Sequence, residues 1–138
     1  MNYKILEFKE AINAKIIREK VFVEEQGFEN EFDDLDEQSF HLELYDDEIV
    51  GCARMYTFDH KVYILGRIAV LKEYRGKNYG SKLVEILENK ARELKAERIE
   101  LSAQVRASVF YEKLGYEKYG EEYFDEYCPH IKMIKMFS

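Results

Sequence analysis

Residues Ile64 to Leu87, ILGRIAVLKEYRGKNYGSKLVEIL, decide the fold of this 138-residue chain. An apolar run ends in a basic turn that contains Gly76 and Gly80, and the turn leads into a sequence with apolar residues at helical spacing. Backbone N–H groups at a helix start lack partners within the helix and lie at its positive end, so they attract anions. Glycine lets the backbone approach a ligand closely, and Arg75 and Lys77 add positive charge. The stretch therefore predicts a strand, an anion-binding loop and a helix.

The flanking sequence predicts further strands and helices in alternation. Period-two patterns predict strands at 3–8, 40–45, 49–58, 63–71, 98–103, 116–123 and 130–137. Helical spacing predicts helices at 12–22, 81–94 and 108–114, the last ended by Gly115. Residues 24–38 are acidic and lack a clear period, which favours a loop or a mobile lid. The strand, helix and strand within 63–103 predict a right-handed unit whose two strands are parallel.

Length and composition restrict the class of protein. A chain of 138 residues with 46% hydrophobic and 36% charged residues is predicted to form one domain over 1–138. It has no apolar run of membrane-spanning length and no basic leader followed by an apolar stretch, so we expect a cytoplasmic protein without a membrane partner. Cys52 and Cys128 match neither a zinc pattern nor a disulfide framework, so no metal is expected. The net charge of −7 argues against a nucleic-acid partner.

Two further clusters contain residues with possible chemistry. Phe110 and Tyr111 lie on the short predicted helix, where Tyr111 could donate a proton or could simply pack against the core. His130 follows the single proline at the start of the last strand. It could serve as a general base, although most histidines are structural.

Two arginines fall in the middle of predicted strands. Strict alternation places Arg54 on one face with Cys52 and Tyr56, and Arg67 on one face with Leu65 and Ala69. Each could form an internal ion pair, or each could bind a carboxylate or phosphate of a ligand, which the arginine fork matches well. Arg18, on the first helix, could join them.

The motifs together resemble the GNAT superfamily of N-acetyltransferases over nearly the whole chain. Residues 75–80, RGKNYG, resemble its acyl-CoA-binding motif, and residues 110–116, FYEKLGY, resemble its FYxKxGF motif. Residues 18–26 and 129–133 further resemble a bacterial branch with ElaA- and YjcF-like proteins, and the tail is also similar to glyphosate N-acetyltransferase. The resemblance implies an α/β (α+β) fold with a mixed, mostly antiparallel sheet of about six to seven strands, flanked by helices. Acyl-CoA would lie in a cleft between two splayed strands.

The resemblance also implies the residues that contact acetyl-CoA. Strand residues at the end of the central strand would bind the pantetheine arm, the following loop would bind the pyrophosphate through backbone N–H groups, and residues of the later motif would complete the site. The implied cosubstrate-binding residues are Ile68, Ala69, Val70, Arg75, Gly76, Lys77, Asn78, Tyr79, Gly80, Ser81, Gln104, Phe110 and Tyr111.

This chain departs from the family pattern at two of these positions. Asn78 replaces the first motif glycine, and asparagine is the side chain that best tolerates a left-handed backbone, so the loop is expected to keep its shape. Gln104 stands where many relatives carry an asparagine that contacts pantetheine. The longer amide has the same donors and acceptor, so we expect the contact to be kept.

The resemblance implies direct acetyl transfer to an amine without a covalent acyl-enzyme. Tyr111 matches the tyrosine that protonates the CoA thiolate, and His130 matches the base of the glyphosate-type enzymes. Glu25 and His41 are alternative bases or acceptor contacts. If Arg18, Arg54 and Arg67 contact the acceptor, it is a small primary amine that also carries a carboxylate or phosphate.

A non-catalytic acyl-CoA sensor is the alternative function. Homodimers are common in the superfamily, so a homodimer is compatible with the resemblance.

Overall fold

The structure, a computed structural model, describes residues 1–137. Its elements follow the predicted order, and most boundaries lie within two residues of those predicted. The first predicted helix is α-helical only as far as Arg18 and continues as a π-helical segment over Glu19–Glu25. The strands and α-helices are β1 (Asn2–Leu6), α1 (Ile12–Arg18), β2 (Phe40–Asp46), β3 (Glu48–Thr57), β4 (Val62–Val70), α2 (Tyr79–Glu93), β5 (Arg98–Gln104), α3 (Ser108–Lys113), β6 (Glu117–Asp125) and β7 (Cys128–Met136).

The strands form one seven-stranded sheet in the order β1-β2-β3-β4-β5-β7-β6. β4 and β5 are parallel, as the sequence predicts, and the other neighbours are antiparallel. The β4–β5 pairing covers only residues 62–65 and 98–101. Beyond Leu65 and Leu101 the two strands diverge, and this divergence opens the predicted cleft at the centre of the sheet.

A bulge in β4 lies where the two strands separate. Arg54 of β3 pairs with Gly66, and Cys52 pairs with Ala69, so three steps along β4 correspond to two along β3. The extra residue is accompanied by a φ of +52° at Arg67. Side chains beyond the bulge therefore point to the opposite face from the one that strict alternation predicts. The prediction that Arg67 shares a face with Leu65 and Ala69 is wrong for this reason.

The hydrophobic core has one part on each face of the sheet. The larger part packs α2 against the sheet through Leu83, Leu87 and Ala91, and it includes Leu65. The smaller part packs α1 and the π-helical segment through Ile17 and neighbouring apolar residues, and it includes Ala69. The helices thus hold both sides of the central strands while the diverging ends of β4 and β5 stay open. No helix within residues 1–137 is long and apolar enough to cross a membrane.

Candidate active site

A cleft of about 570 Å³ occupies the divergence of β4 and β5. Its floor is formed by the two strands, and its walls come from the segment after the π-helix, from α3 and from the β6–β7 turn. The predicted residues that line it are Arg54, Arg67, Ile68, Arg75, Gln104, Tyr111 and His130. The fold thus brings residues from the middle and the C-terminal end of the chain to one surface.

The predicted phosphate loop forms a second cavity of about 480 Å³ beside the first, and Arg75 lines both. Asn78 has φ +67° and ψ +16° and immediately precedes α2, so it adopts the left-handed conformation that the sequence predicts for it. A Cβ on Gly80 would lie 3.2 Å from Phe110 Cζ, which explains why the close approach of α2 and α3 favours glycine there. The backbone N–H groups at the start of α2 consequently face an open, anion-attracting surface.

We expect Asn78→Ala to lower the free energy of unfolding by about 1 kcal/mol, because alanine adopts a left-handed backbone less readily than asparagine does. Asn78→Gly is the matched control. It should change the free energy of unfolding by less than about 0.5 kcal/mol, since glycine adopts this conformation without strain but is more flexible when unfolded. Urea unfolding measures both variants. Equal stability of the two would contradict a strain at residue 78.

Two tyrosines hold the phosphate loop to the β2–β3 turn. The Tyr74 hydroxyl donates to Glu48 Oε2 at 2.6 Å, and the Tyr79 hydroxyl donates to the carboxylate of Asp46. These hydrogen bonds fix the loop from the side opposite the cleft. No local sequence pattern predicts this role, because the partners lie 26 and 33 positions away.

Tyr111 lies at the wall of the cleft, with its ring packed edge-on against Phe110 and Tyr116. Burial raises the pKa of its hydroxyl to about 12. No charge or hydrogen bond from residues 1–137 contributes to this shift. Tyr111 is therefore protonated at neutral pH, and its O–H is free to donate towards the cleft.

His130 lies at the start of β7, directly opposite Gln104 of β5, and its side chain is 7% exposed. Its Nδ1 lies 2.8 Å from the carbonyl oxygen of Cys128. A carbonyl oxygen only accepts, so in the neutral ring this contact assigns the proton to Nδ1 and leaves Nε2 with a lone pair. The ring stacks on Tyr123 at a centroid distance of 6.1 Å. This tautomer can accept a proton from a group bound in the cleft.

The three arginines form a buried ion-pair network with the segment that follows the π-helix. Arg18 contacts Glu31 and Asp36 at 2.8 Å each and is 1% exposed. The same carboxylates, together with Asp33, also pair with the other two arginines: Arg54 contacts Asp33 and Asp36, and Arg67 contacts Glu31 and Asp33. Of the two alternatives that the sequence left open, internal ion pairs are present for all three arginines.

Arg54 and Arg67 nevertheless line the cleft, whereas Arg18 does not. Arg54 Nε is buried and has no hydrogen-bond partner among the described residues. Arg67 is 24% exposed. Arg18 is 1% exposed and is paired with Glu31 and Asp36, so the structure gives no support to the expected acceptor contact of Arg18.

His41 and Glu25, the two alternative bases, do not line the cleft. His41 is 1% exposed, and its Nε2 lies 2.8 Å from the carbonyl oxygen of Asp36. Burial lowers its pKa. Its side chain is buried and does not line the cleft, so a role as base has no support. Glu25 instead forms a bidentate ion pair with Arg75, in which the two carboxylate oxygens accept from the two terminal guanidinium nitrogens at 2.6 and 2.8 Å.

The structure adds cleft residues that the sequence analysis did not single out. Gln104 donates to Gln26 Oε1 at 2.8 Å and accepts from Arg106 Nε at 2.7 Å. The residue expected to contact pantetheine is therefore the middle one of three hydrogen-bonded polar side chains. Glu126, in the β6–β7 turn, accepts the N–H groups of Glu29 and Asn30 at 3.1 and 2.7 Å. Both Glu126 and its neighbour Tyr127 have positive φ, as a tight two-residue hairpin turn requires.

No group of three or more His, Cys, Asp or Glu side chains within residues 1–137 is arranged to hold a metal ion. Cys52 is buried, and burial raises its pKa to about 12. Its thiol is thus protonated at neutral pH, which makes it a poor nucleophile.

Diverging strands, a glycine-containing loop at a helix start, and a tyrosine and a histidine that line the same cleft are the features of an acyltransferase fold. A family model described as an acetyltransferase (GNAT) domain matches residues 9–137. The uncharacterized N-acetyltransferase YjcF of Bacillus subtilis is 36% identical over 126 residues, which cover 89% of this chain and 90% of YjcF. The chain therefore belongs to the GNAT acetyltransferase family and is an enzyme whose cosubstrate is acetyl-CoA.

Solved structures agree with this assignment. Escherichia coli ElaA superimposes with a TM-score of 0.85 at 25% identity, over 97% of this chain and 98% of ElaA. An acyl-CoA N-acyltransferase from Pseudomonas aeruginosa gives a TM-score of 0.83 at 23% identity, over 97% of this chain and 98% of that one, and so supports the fold. The predicted fold class and the predicted ElaA- and YjcF-like branch are confirmed. The similarity to glyphosate N-acetyltransferase stays a prediction.

Proposed function

We propose that this enzyme transfers an acetyl group from acetyl-CoA directly to the primary amine of a small molecule that also carries a carboxylate or phosphate. The observation that carries the proposal is the convergence of four features on one cleft. These are the end of β4, the phosphate loop, a protonated tyrosine and a histidine with an open Nε2. Their combination fits a thioester donor on one side and an amine on the other.

The donor side of the cleft follows from the open backbone of β4. Residues 68–70 lie beyond the β4–β5 pairing, so no β5 partner occupies their main-chain groups on that side, and these groups can bind the amide groups of pantetheine. The exception is the Val70 carbonyl oxygen, which accepts from Arg75 Nε at 3.0 Å. The pyrophosphate would lie on the N–H groups at the start of α2. Gln104, at the end of β5, would complete the donor side with its side-chain amide.

In the proposed reaction, His130 Nε2 accepts a proton from the ammonium of the acceptor, and the freed nitrogen attacks the thioester carbonyl carbon. A C–N bond forms, the C–S bond breaks, and the attacking nitrogen releases its second proton to solvent, so the product is a neutral amide. Tyr111 donates its proton to the departing sulfur, so the leaving group is the neutral thiol of CoA. Solvent then returns a proton to Tyr111 and removes one from His130. No side chain becomes acetylated.

The anionic group of the acceptor is inferred from the arginines of the cleft. The buried Arg54 Nε donor costs free energy while it has no partner within the described structure, and a bound oxygen would supply one. Arg67 is partly exposed beside it and can add a charge-assisted hydrogen bond. A carboxylate or phosphate placed there would leave the amine to reach His130.

Release of free CoA from acetyl-CoA tests this substrate class. The panel pairs each amine that has a carboxylate or phosphonate with its neutral amide or alcohol analogue. We expect kcat/KM to be about 10-fold or more higher for the anionic member, because a charge-assisted hydrogen bond contributes about 1.5–3 kcal/mol. Arg67→Gln should reduce this ratio towards one. The ratio of the two kcat/KM values is taken within each variant, so a lower concentration of folded protein affects both values equally and cancels. Equal rates for both members with the wild type would contradict an anionic acceptor.

His130→Gln should lower kcat/KM for the acceptor by about 10- to 100-fold at pH 7, since glutamine cannot take the ammonium proton. The loss should become smaller at alkaline pH, where solution supplies more of the free amine. Steady-state CoA release across pH measures this. His60→Gln, on the exposed β3–β4 turn, is the matched control. A deficit that is the same at every pH would indicate that His130 only supports the structure.

A further inference from the structure

Residues 25–30 run along the cleft, which Gln26, Phe28 and Asn30 line, and we refer to them as the strap. Glu25 at one end pairs with Arg75 of the phosphate loop, and Gln26 accepts a hydrogen bond from Gln104. The backbone of Glu29 and Asn30, at the other end, is held by the carboxylate of Glu126 in the β6–β7 turn. The strap is therefore fixed on the donor side by two side chains and on the acceptor side by one.

The donor-side contacts use the same groups that the donor requires. Arg75 lines both the cleft and the cavity of the phosphate loop, and both of its terminal nitrogens contact the Glu25 carboxylate. Its Nε is used as well, because it donates to the carbonyl oxygen of Val70 at 3.0 Å. The Glu25 carboxylate thus occupies the two terminal nitrogens of Arg75 that a CoA phosphate would otherwise contact.

Exposure indicates that this pair can open. The Arg75 and Glu25 side chains are 40% and 36% exposed, so water competes for both of them. Exposed ion pairs of this kind contribute little to stability and are weakened by salt. Arg18 differs sharply, since it is buried with its partners and cannot be released without unfolding the network.

We infer that Glu25 is an internal competitor for the phosphates of CoA at Arg75. Donor binding displaces it, so Glu25 sets the affinity for acetyl-CoA and links occupancy of the phosphate loop to release of the donor end of the strap. The inference rests on the proposed donor site and adds a residue that opposes binding there. Glu25 thus has an affinity-setting role in place of the expected role as base.

Glu25→Gln tests the inference, with CoA and acetyl-pantetheine as the two probes. The second probe keeps the thioester arm and lacks the phosphates. We expect Glu25→Gln to bind CoA about 1.5- to 5-fold more tightly than wild type, as follows from losing an exposed ion pair of about 0.2–1 kcal/mol. The gain should shrink at high salt. Affinity for acetyl-pantetheine should be unchanged. Glu24→Gln, the exposed neighbour, should leave both affinities at the wild-type level.

Isothermal titration separates the possible results. Unchanged or weaker CoA binding by Glu25→Gln would overturn the inference, as would an equal gain for both probes, because the effect would then not act through the phosphates. A wild-type protein that does not bind CoA would overturn the donor site itself and the inference with it. Thermal unfolding of each variant shows whether the folded fraction is equal, so that a folding defect is not mistaken for lost affinity.

Discussion

Tyr111→Phe is expected to lower kcat by about 10²- to 10³-fold, because a positioned general acid typically contributes that much to a proton transfer. The ring stays packed against Phe110 and Tyr116, and the lost hydroxyl has no hydrogen bond from residues 1–137 contributing to its pKa. The free energy of unfolding should therefore change by less than about 0.5 kcal/mol. The KM for acetyl-CoA should also stay near the wild-type value, since the hydroxyl acts on the leaving sulfur during the reaction.

Tyr119→Phe is the matched control for this prediction. Tyr119 is 62% exposed on β6, so removing its hydroxyl should leave kcat unchanged. With acetyl donors whose leaving thiol has a lower pKa, the difference in kcat between Tyr111→Phe and wild type should be smaller, because such a thiolate needs no proton to depart. A Tyr111→Phe enzyme with wild-type kcat, or one that loses only stability, would show that Tyr111 is a packing residue.

Arg18→Met is expected to lower the free energy of unfolding by about 3–5 kcal/mol, the usual result of removing one partner from a buried ion pair. Methionine keeps most of the length and apolar volume of the side chain. The substitution removes the positive charge, so the carboxylates of Glu31 and Asp36 lose the two 2.8 Å contacts that Arg18 makes. Urea unfolding measures the effect, and Lys20→Met, which alters an exposed residue of the π-helical segment, is the control.

The pH dependence of the Arg18→Met deficit distinguishes an unpaired charge from a packing defect. Burial raises the pKa of Glu31, while Arg67 and Arg18 lower it, so removal of Arg18 should raise it further. A carboxyl group with a raised pKa in the folded state stabilises that state at low pH and loses this contribution as pH rises through that pKa. The deficit should therefore be smaller at pH 5 than at pH 8. A deficit that is independent of pH would indicate lost packing instead.

The donor half of the site could be predicted from the sequence because its determinants are local. The phosphate loop, α2 and the parallel return to β5 lie within about 40 consecutive residues, and short connections leave few ways to arrange them. Asn78 is the clearest case. Its left-handed conformation follows from its side chain and from its place before a helix, and the structure has φ +67° there.

The acceptor half could not be predicted in this way, because its determinants are distant in sequence. Alternation predicts the face of Arg67 only for a regular strand, and the bulge at β4 reverses the faces beyond it. The partners of Arg67 lie about 35 positions earlier, in a segment without a period. The pair between Glu25 and Arg75 spans 50 positions. Such contacts depend on how the sheet places loops beside one another, which no local pattern encodes.

The dependence of CoA release on the amine shows whether the acetyl group passes directly from CoA to the acceptor. The wild-type enzyme is incubated with acetyl-CoA with and without an accepted amine, free CoA and acetylated amine are quantified, and the mass of the intact protein is recorded. Direct transfer predicts no CoA release without the amine, equal amounts of CoA and acetylated product with it, and an unmodified protein throughout. Release of one equivalent of CoA in the absence of amine, with an acetyl group on Cys128 or another side chain, would contradict direct transfer.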